Sequence, residues 1–179
     1  GEMRVEPIKE GDEGLCRAVV NGTVEYARWS PAEFSSDALW GMGVLPSSDV
    51  VEAAIDIDLD GKANTILRMG YDRGGGCGNH LEHFREWDHT ANAPGNSKIA
   101  HFLGKTWWGP MSRFKTPERW FSPDFFRFGG KPYMLGKSQF SPQAQVISFW
   151  GGDVRKWCEF KLLPEHRIKR FYPIHTGSK

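Results

Sequence analysis

Three aspartates at alternate positions, Asp56, Asp58 and Asp60, run into Gly61 and make the densest cluster of one chemistry in the chain. A hard cation such as Ca2+ takes about six to eight oxygen ligands at short range. Carboxylates on alternate residues of a tight loop can all point inward, and glycine permits the sharp turn they need. Lys62 would add its backbone carbonyl, and Asn64 its side-chain oxygen. The predicted ligands are therefore Asp56, Asp58, Asp60, Lys62 and Asn64, with Ca2+ as the cofactor. The same residues also suit a metal-free turn, because Asp side chains bond their own backbone. An EF-hand requires a bidentate Glu at the twelfth loop position. Leu67 stands there, so the loop is not of that type.

The spacing resembles the calcium loops of FG-GAP repeats in integrin-like propellers, which follow D-x-D-x-D-G-x-x-D between two strands. Asp56, Asp58, Asp60 and Gly61 match, and Asn64 replaces the last Asp. The likeness is confined to the hairpin at 50–71 and has no second copy, so it implies a calcium loop and not a propeller. A looser likeness spans the hairpin, the Gly-rich turn around Cys77, the GKPYML stretch at 130–135 and the WCEF stretch at 157–160. In these the chain is similar to small exported proteobacterial proteins, some of them immunity proteins. That resemblance implies a periplasmic or secreted protein-binding module that neutralises a secreted antibacterial effector or toxin.

A second cluster is Cys77, His80, Glu82 and His83, with Asp88 and His89 close behind. Thiol and imidazole groups at this spacing suit Zn2+. Cys77 beside a His base also suits nucleophilic catalysis in a Gly-rich turn whose N–H groups could hold an oxyanion. The alternative to a binding module is thus a hydrolase using Cys77 with a nearby His, or a metal site at Cys77, His80 and His83. The plain reading is a polar turn: no second ligand cluster and no His-Glu-x-x-His follow. Residues 72–76 lack the Gly-Lys-Ser/Thr of a phosphate loop. No residue is assigned a catalytic role.

Residues 102–128 hold Phe102, Trp107, Trp108, Phe114, Trp120, Phe121, Phe125, Phe126 and Phe128, with Arg113, Lys115, Arg119 and Arg127 between them. Such a mixture can stack single-stranded bases. The aromatics are too dense to stand mostly exposed, so they read as core and no nucleic-acid partner is expected. Trp107, Trp108, Arg113 and Arg119 are the candidate contacts to a protein partner, since Trp and Arg are enriched at binding hot spots.

The elements that must position these groups come from a chain of 179 residues, 39% hydrophobic and 25% charged, with eight Trp and twelve Phe. That supplies a core for one domain over 1–179, with 1–14 as a loose N-terminal arm. No stretch approaches the roughly 20 apolar residues of a membrane span. Gly1-Glu2-Met3 reads as a processing remnant, with a leader removed. Residues 1–60 carry four basic and thirteen acidic side chains, a net of −9; the remaining nineteen and nine give +10. Either these charges interleave on one surface or they form two faces that steer a charged partner. Three cysteines, Cys16, Cys77 and Cys158, allow one bridge and leave one thiol. In an exported protein the pairing would be Cys77–Cys158 or Cys16–Cys158; otherwise all three are free.

The pattern predicts an α+β, mostly β fold: antiparallel hairpins and a meander with a few short helices. Cys16–Tyr26 reads as two strands about Asn21-Gly22, a strong hairpin dipeptide. Ser30-Pro31-Ala32-Glu33 reads as a capping box opening a helix over 31–40. Strands flank the aspartate loop at 50–57 and 65–71. Residues 80–87 suit a strand or a helical turn, and 92–97 a loop. Thr116-Pro117 and Ser122-Pro123 read as starts of helical turns. Gly129-Gly130 and Gly151-Gly152 each turn a hairpin, the second ending in a strand over 154–162 with Cys158 on its buried face.

Overall fold

Runs of β-branched and aromatic residues, punctuated by glycine pairs, fold here as strands. A computed structural model describes residues 4–5, 13–41, 50–72, 80–103, 114–115, 120–121, 124–137, 144–162 and 168–173. In chain order the elements are β1 (Arg4–Val5), α1 (Glu13–Asn21), β2 (Glu25–Tyr26), β3 (Ser30–Pro31), α2 (Ser36–Gly41), β4 (Val50–Ile55), β5 (Asn64–Asp72), β6 (His80–Asp88) and β7 (Ala93–Pro94). There follow α3 (Lys98–Leu103), β8 (Phe114–Lys115), β9 (Trp120–Phe121), β10 (Asp124–Phe128), β11 (Lys131–Lys137), β12 (Ala144–Ser148), β13 (Arg155–Leu162) and β14 (Ile168–Pro173). The fold is mostly β, as the pattern predicts.

A seven-stranded sheet has the order β1-β14-β13-β12-β11-β10-β2, and a five-stranded sheet the order β3-β4-β5-β6-β7. All pairings are antiparallel except β1 with β14, and β8 and β9 form a separate small hairpin. Both glycine-pair hairpins form. Gly129 and Gly130 have φ of 59° and 77°, which closes Phe128 onto Lys131. No helix among the described residues is long and apolar enough to cross a membrane.

Strand alternation assigns each buried side chain to a layer. Phe125, Met134 and Ile147 of the large sheet meet Ile66 and Phe84 of the small one, together with Ile57, Ile99 and Leu103. Phe84 packs on Phe125 at 4.9 Å, and Trp29 stacks on Phe84 at 5.8 Å. The two sheets therefore lie face to face. The other face of the large sheet presents Phe126, Tyr133, Leu135, Val146 and Cys158 to Leu15, Cys16, Val19 and Val20 of α1. The other face of the small sheet buries Val50, Leu67, Met69 and Trp87 under Leu39, Ala32 and Phe34.

Four expectations are corrected. Residues 13–21 are helix, not a strand before a hairpin turn. Leu15, Cys16, Val19 and Val20 fall on one helical face, and the Asn-Gly pair ends the helix. Gly22, at φ 69°, donates to Val19 O (3.2 Å), and the Thr23 N–H donates to Ala18 O (2.9 Å). That is the paired-bond glycine cap of a helix, which uses the same left-handed glycine as a hairpin turn. The helix expected at 31–40 begins only at Ser36. Ser30 and Pro31 instead pair with Glu52 and Val51 at a sheet edge, where proline is tolerated. Ser35 is the working cap, its Oγ accepting the Ala38 N–H at 3.2 Å. The arm at 1–14 is not wholly loose: Arg4 and Val5 pair alongside Arg170 and Phe171, and 13–14 open α1. Asp124 begins a strand, not a helical turn, while Pro117 and Ser122-Pro123 lie outside the described residues.

Residues 80–88 are a strand. The loop expected at 92–97 contains the short β7 and then Ser97, whose Oγ accepts the Ala100 N–H (3.2 Å) and caps a helix that the sequence reading passes over. Cys16 and Cys158 are bonded, with Cα atoms 5.9 Å apart, which pins α1 to the sheet it covers. This selects one of the two pairings the sequence allows.

Candidate functional site

Strands β4 and β5 pair from Val50–Met69 to Ile55–Asn64, so the aspartate loop is 56–63, held at both ends by a sheet. Ile57 anchors it, 1% exposed in the core between the sheets. With Ile57 turned in, the alternate residues Asp56, Asp58 and Asp60 gather on the other side. One ligand oxygen from each lies within 4.8 Å of the others. Among the described residues this is the one group of three or more metal-ligating side chains.

Backbone amides shape the loop. Asp56 Oδ1 accepts the Asp60 N–H (3.1 Å), and Asp56 Oδ2 accepts the Gly61 N–H (3.0 Å). Asp58 Oδ1 accepts the Asp60 N–H (3.3 Å), and Asp60 Oδ1 accepts the Lys62 N–H (2.8 Å). Gly61 (φ 89°) and Leu59 (φ 57°) lie in the left-handed region that lets the chain curl around the carboxylates. Leu59 accepts that backbone at some cost, since a side chain there is strained.

The charges are not balanced within the loop. Burial raises the Asp58 pKa above the ordinary carboxylate value, and the nearby Asp60 charge adds to it, against the Asp60 N–H, which lowers it. A bound cation removes that penalty by favouring the ionised form. Asn64 completes the picture at the strand end: its Oδ1 is buried without a hydrogen-bond partner. Such an atom is an unspent oxygen donor. The triad could hold a metal ion, and the donor set, all oxygen, suits a hard cation. Lys62 is exposed, and its N–H serves the loop.

Two clefts flank the loop. One, about 290 Å3, is lined by Glu25, Arg28, Ala54, Asp56, Leu59 and Arg127. The other, about 540 Å3, is lined by Asp58, Lys98, Ile99, Phe149, Asp153 and Val154. The loop, the start of α3 and the turn between β12 and β13 thus meet at one end of the molecule. Leu59 (43% exposed) and Val154 (46% exposed) stand out apolar at that end. Neither residue is among the candidates that residue type and spacing single out. The signal available for Leu59 was an apolar residue at the tip of an otherwise acidic loop.

The other sequence candidates are not gathered here. Trp107, Trp108, Arg113, Arg119 and Cys77 lie outside the described residues. The backbones of His80 and His83 belong to β6, opposite Asp72 and Met69, but their side chains lie outside the description. His89 is described, and its Nε2 meets Glu52 Oε2 at 2.8 Å.

No family model, no curated protein and no solved structure matches the chain.

Proposed function

We propose that this chain is an exported β-sandwich that binds another protein through its loop end, with Ca2+ held by Asp56, Asp58 and Asp60. The observation that carries the reading is the convergence of three carboxylates within 4.8 Å on a loop fixed by strands at both ends. Three like charges so close repel one another, and a divalent cation offsets them. Asn64 Oδ1, buried without a hydrogen-bond partner at the end of the loop, is the candidate for a further oxygen. Calcium then rigidifies the hairpin that presents Leu59 on one side and Asp58 on the other.

Chemistry supports the exported reading. A disulfide buried between α1 and β13 suits an oxidising environment, where such bonds persist. Extracellular calcium loops work at high ambient calcium, so an incomplete ligand set suffices there. The partner class we propose is a secreted effector, which makes the chain an inhibitor of the immunity kind. Apolar tips beside charged clefts support a protein contact, because interfaces combine an apolar centre with a polar rim.

The test is capture of a partner from the native secreted fraction with and without calcium. Leu59→Asp combined with Val154→Asp should keep the calcium response of the fold and lose the captured protein. Equal capture by both proteins, or turnover of a small substrate requiring Cys77, would overturn the reading.

A further inference from the structure

Among the described residues of strand β6, Trp87 has an indole donor without an acceptor and Arg85 has no carboxylate paired with it. Arg85 lies opposite Leu67 and Trp87 opposite Thr65, so alternation sends both side chains to the same outer face of the five-stranded sheet. That face is the one on which Trp87 joins Leu39, Val50, Leu67 and Met69. Trp87 is 6% exposed, and its Nε1–H is buried without a hydrogen-bond partner. Among the described residues no carboxylate pairs with Arg85, whose guanidinium is partly withdrawn from water; burial alone lowers its pKa.

A strand rises about 3.3 Å per residue, so the two Cα atoms stand roughly 7 Å apart on that face. Both side chains are long enough to converge on one ligand. The carboxylate that register places nearest is Glu52, across Leu67 on the same face. Its Oε2 is engaged by His89 at 2.8 Å. A guanidinium offers a planar fork of N–H donors and the indole adds one more. The ligand that fits such donors is a planar oxyanion, a carboxylate above all. The cover over Trp87 is thin: Phe34, packed edge-on at 5.2 Å, and Ala32 belong to the coil between β3 and α2, and both are only partly buried.

We propose that Arg85 and Trp87 form a carboxylate-binding site on the outer face of the small sheet, taking a Glu or Asp side chain of the protein partner. The identity of the source rests on the protein-binding reading above; the site itself does not depend on the calcium loop. The apolar surround of Phe34 and Leu39 supports a polypeptide over a free acid, because it adds contact area beside the charge.

The test is a 15N spectrum of the tryptophan indole N–H groups of the whole chain, with Trp87→Phe identifying the Trp87 signal. The probes are acetate and a blocked Gly-Glu-Gly peptide, with the Gln peptide and chloride as controls. The proposal expects a saturable shift of the Trp87 signal with acetate and with the Glu peptide. It expects no shift with either control, and loss of the response in Arg85→Met. An unmoved Trp87 signal, or equal movement of all indoles, would overturn the site. A response to acetate without one to the Glu peptide would overturn the protein source. Repeating the titration in Asp58→Ala separates this site from the calcium loop: the shift should survive there, whatever becomes of calcium binding.

Discussion

Cys16, on the helix that covers the large sheet, is bonded to Cys158 in β13, 142 residues further along the chain. Both are fully buried. A bridge closing so long a loop removes much freedom from the unfolded chain, about 5 kcal/mol in the chain-entropy account. Replacing both by Ala should lower stability by about 2–5 kcal/mol in denaturant melts. Three cysteines less the two in the bridge leave one thiol, Cys77. Thiol titration of the denatured, unreduced protein should therefore find one per chain; three would contradict the pairing.

Glu86 and Gly95 set a second constraint. A Cβ built on Gly95 would stand 2.5 Å from Glu86 Oε1 and 2.7 Å from its Cγ. Glu86 cannot simply swing aside, since its Oε2 accepts the Ser97 hydroxyl at 2.5 Å and Ser97 caps α3. Gly95→Ala should cost about 1–3 kcal/mol, as overpacking does. The penalty should shrink when Glu86→Ala is added, a coupling that a double-mutant cycle reads.

Asp124 ties the sheets together. Its Oδ1 accepts the Trp29 indole N–H at 2.7 Å and the Phe125 N–H at 2.8 Å, while Oδ2 lies 3.9 Å from Arg68. Arg68 also sits 5.9 Å from the Trp29 ring centroid. Asp124→Ala takes the acceptor from the Trp29 indole N–H and the Phe125 N–H and removes a charge beside Arg68, so about 1–3 kcal/mol of stability should be lost. Asp124→Asn, which keeps an acceptor, should lose less. Equal losses would deny the neutral acceptor a role and leave the effect to the charge.

Legibility in the sequence followed the range of the forces involved. The glycine-pair hairpins and the β4–β5 hairpin were readable because turn chemistry and alternation are local. The Asn21-Gly22 turn was misread because a left-handed glycine ends a helix as readily as it turns a hairpin. Only the 15–16–19–20 spacing of apolar residues separated the two. Ser30-Pro31 carried every local mark of a helix start, yet its backbone found a strand partner 20 residues on, in Glu52 and Val51. The aspartate cluster was readable because its carboxylates stand close together in the chain. Arg85 and Trp87 were not, because an unpaired donor is a property of what surrounds a residue, not of its type.

The pKa of Asp58 gives the loop a pH signature. Its folded value is raised, by burial first, so the folded loop holds that proton more tightly than the unfolded chain does. The corresponding stability is present below the unfolded pKa and is lost as pH rises through the folded one. Calcium needs the ionised form, so its stabilising effect should grow across that same rise and vanish in acid. Melting curves at several pH values, with and without calcium, check the sign. A calcium effect as large below the carboxylate range as at neutral pH would contradict it.

The central claim rests on the loop at 56–64, and the melting temperature of the whole chain in millimolar calcium against calcium-free buffer tests it most directly. Calcium at about one hundred times its dissociation constant contributes about 2.7 kcal/mol. For a chain of this size that raises the midpoint by roughly 5 °C or more. The account predicts that rise in the native sequence and its loss in Asp58→Ala. An unchanged midpoint in the native protein, or an equal rise in Asp58→Ala, would contradict it.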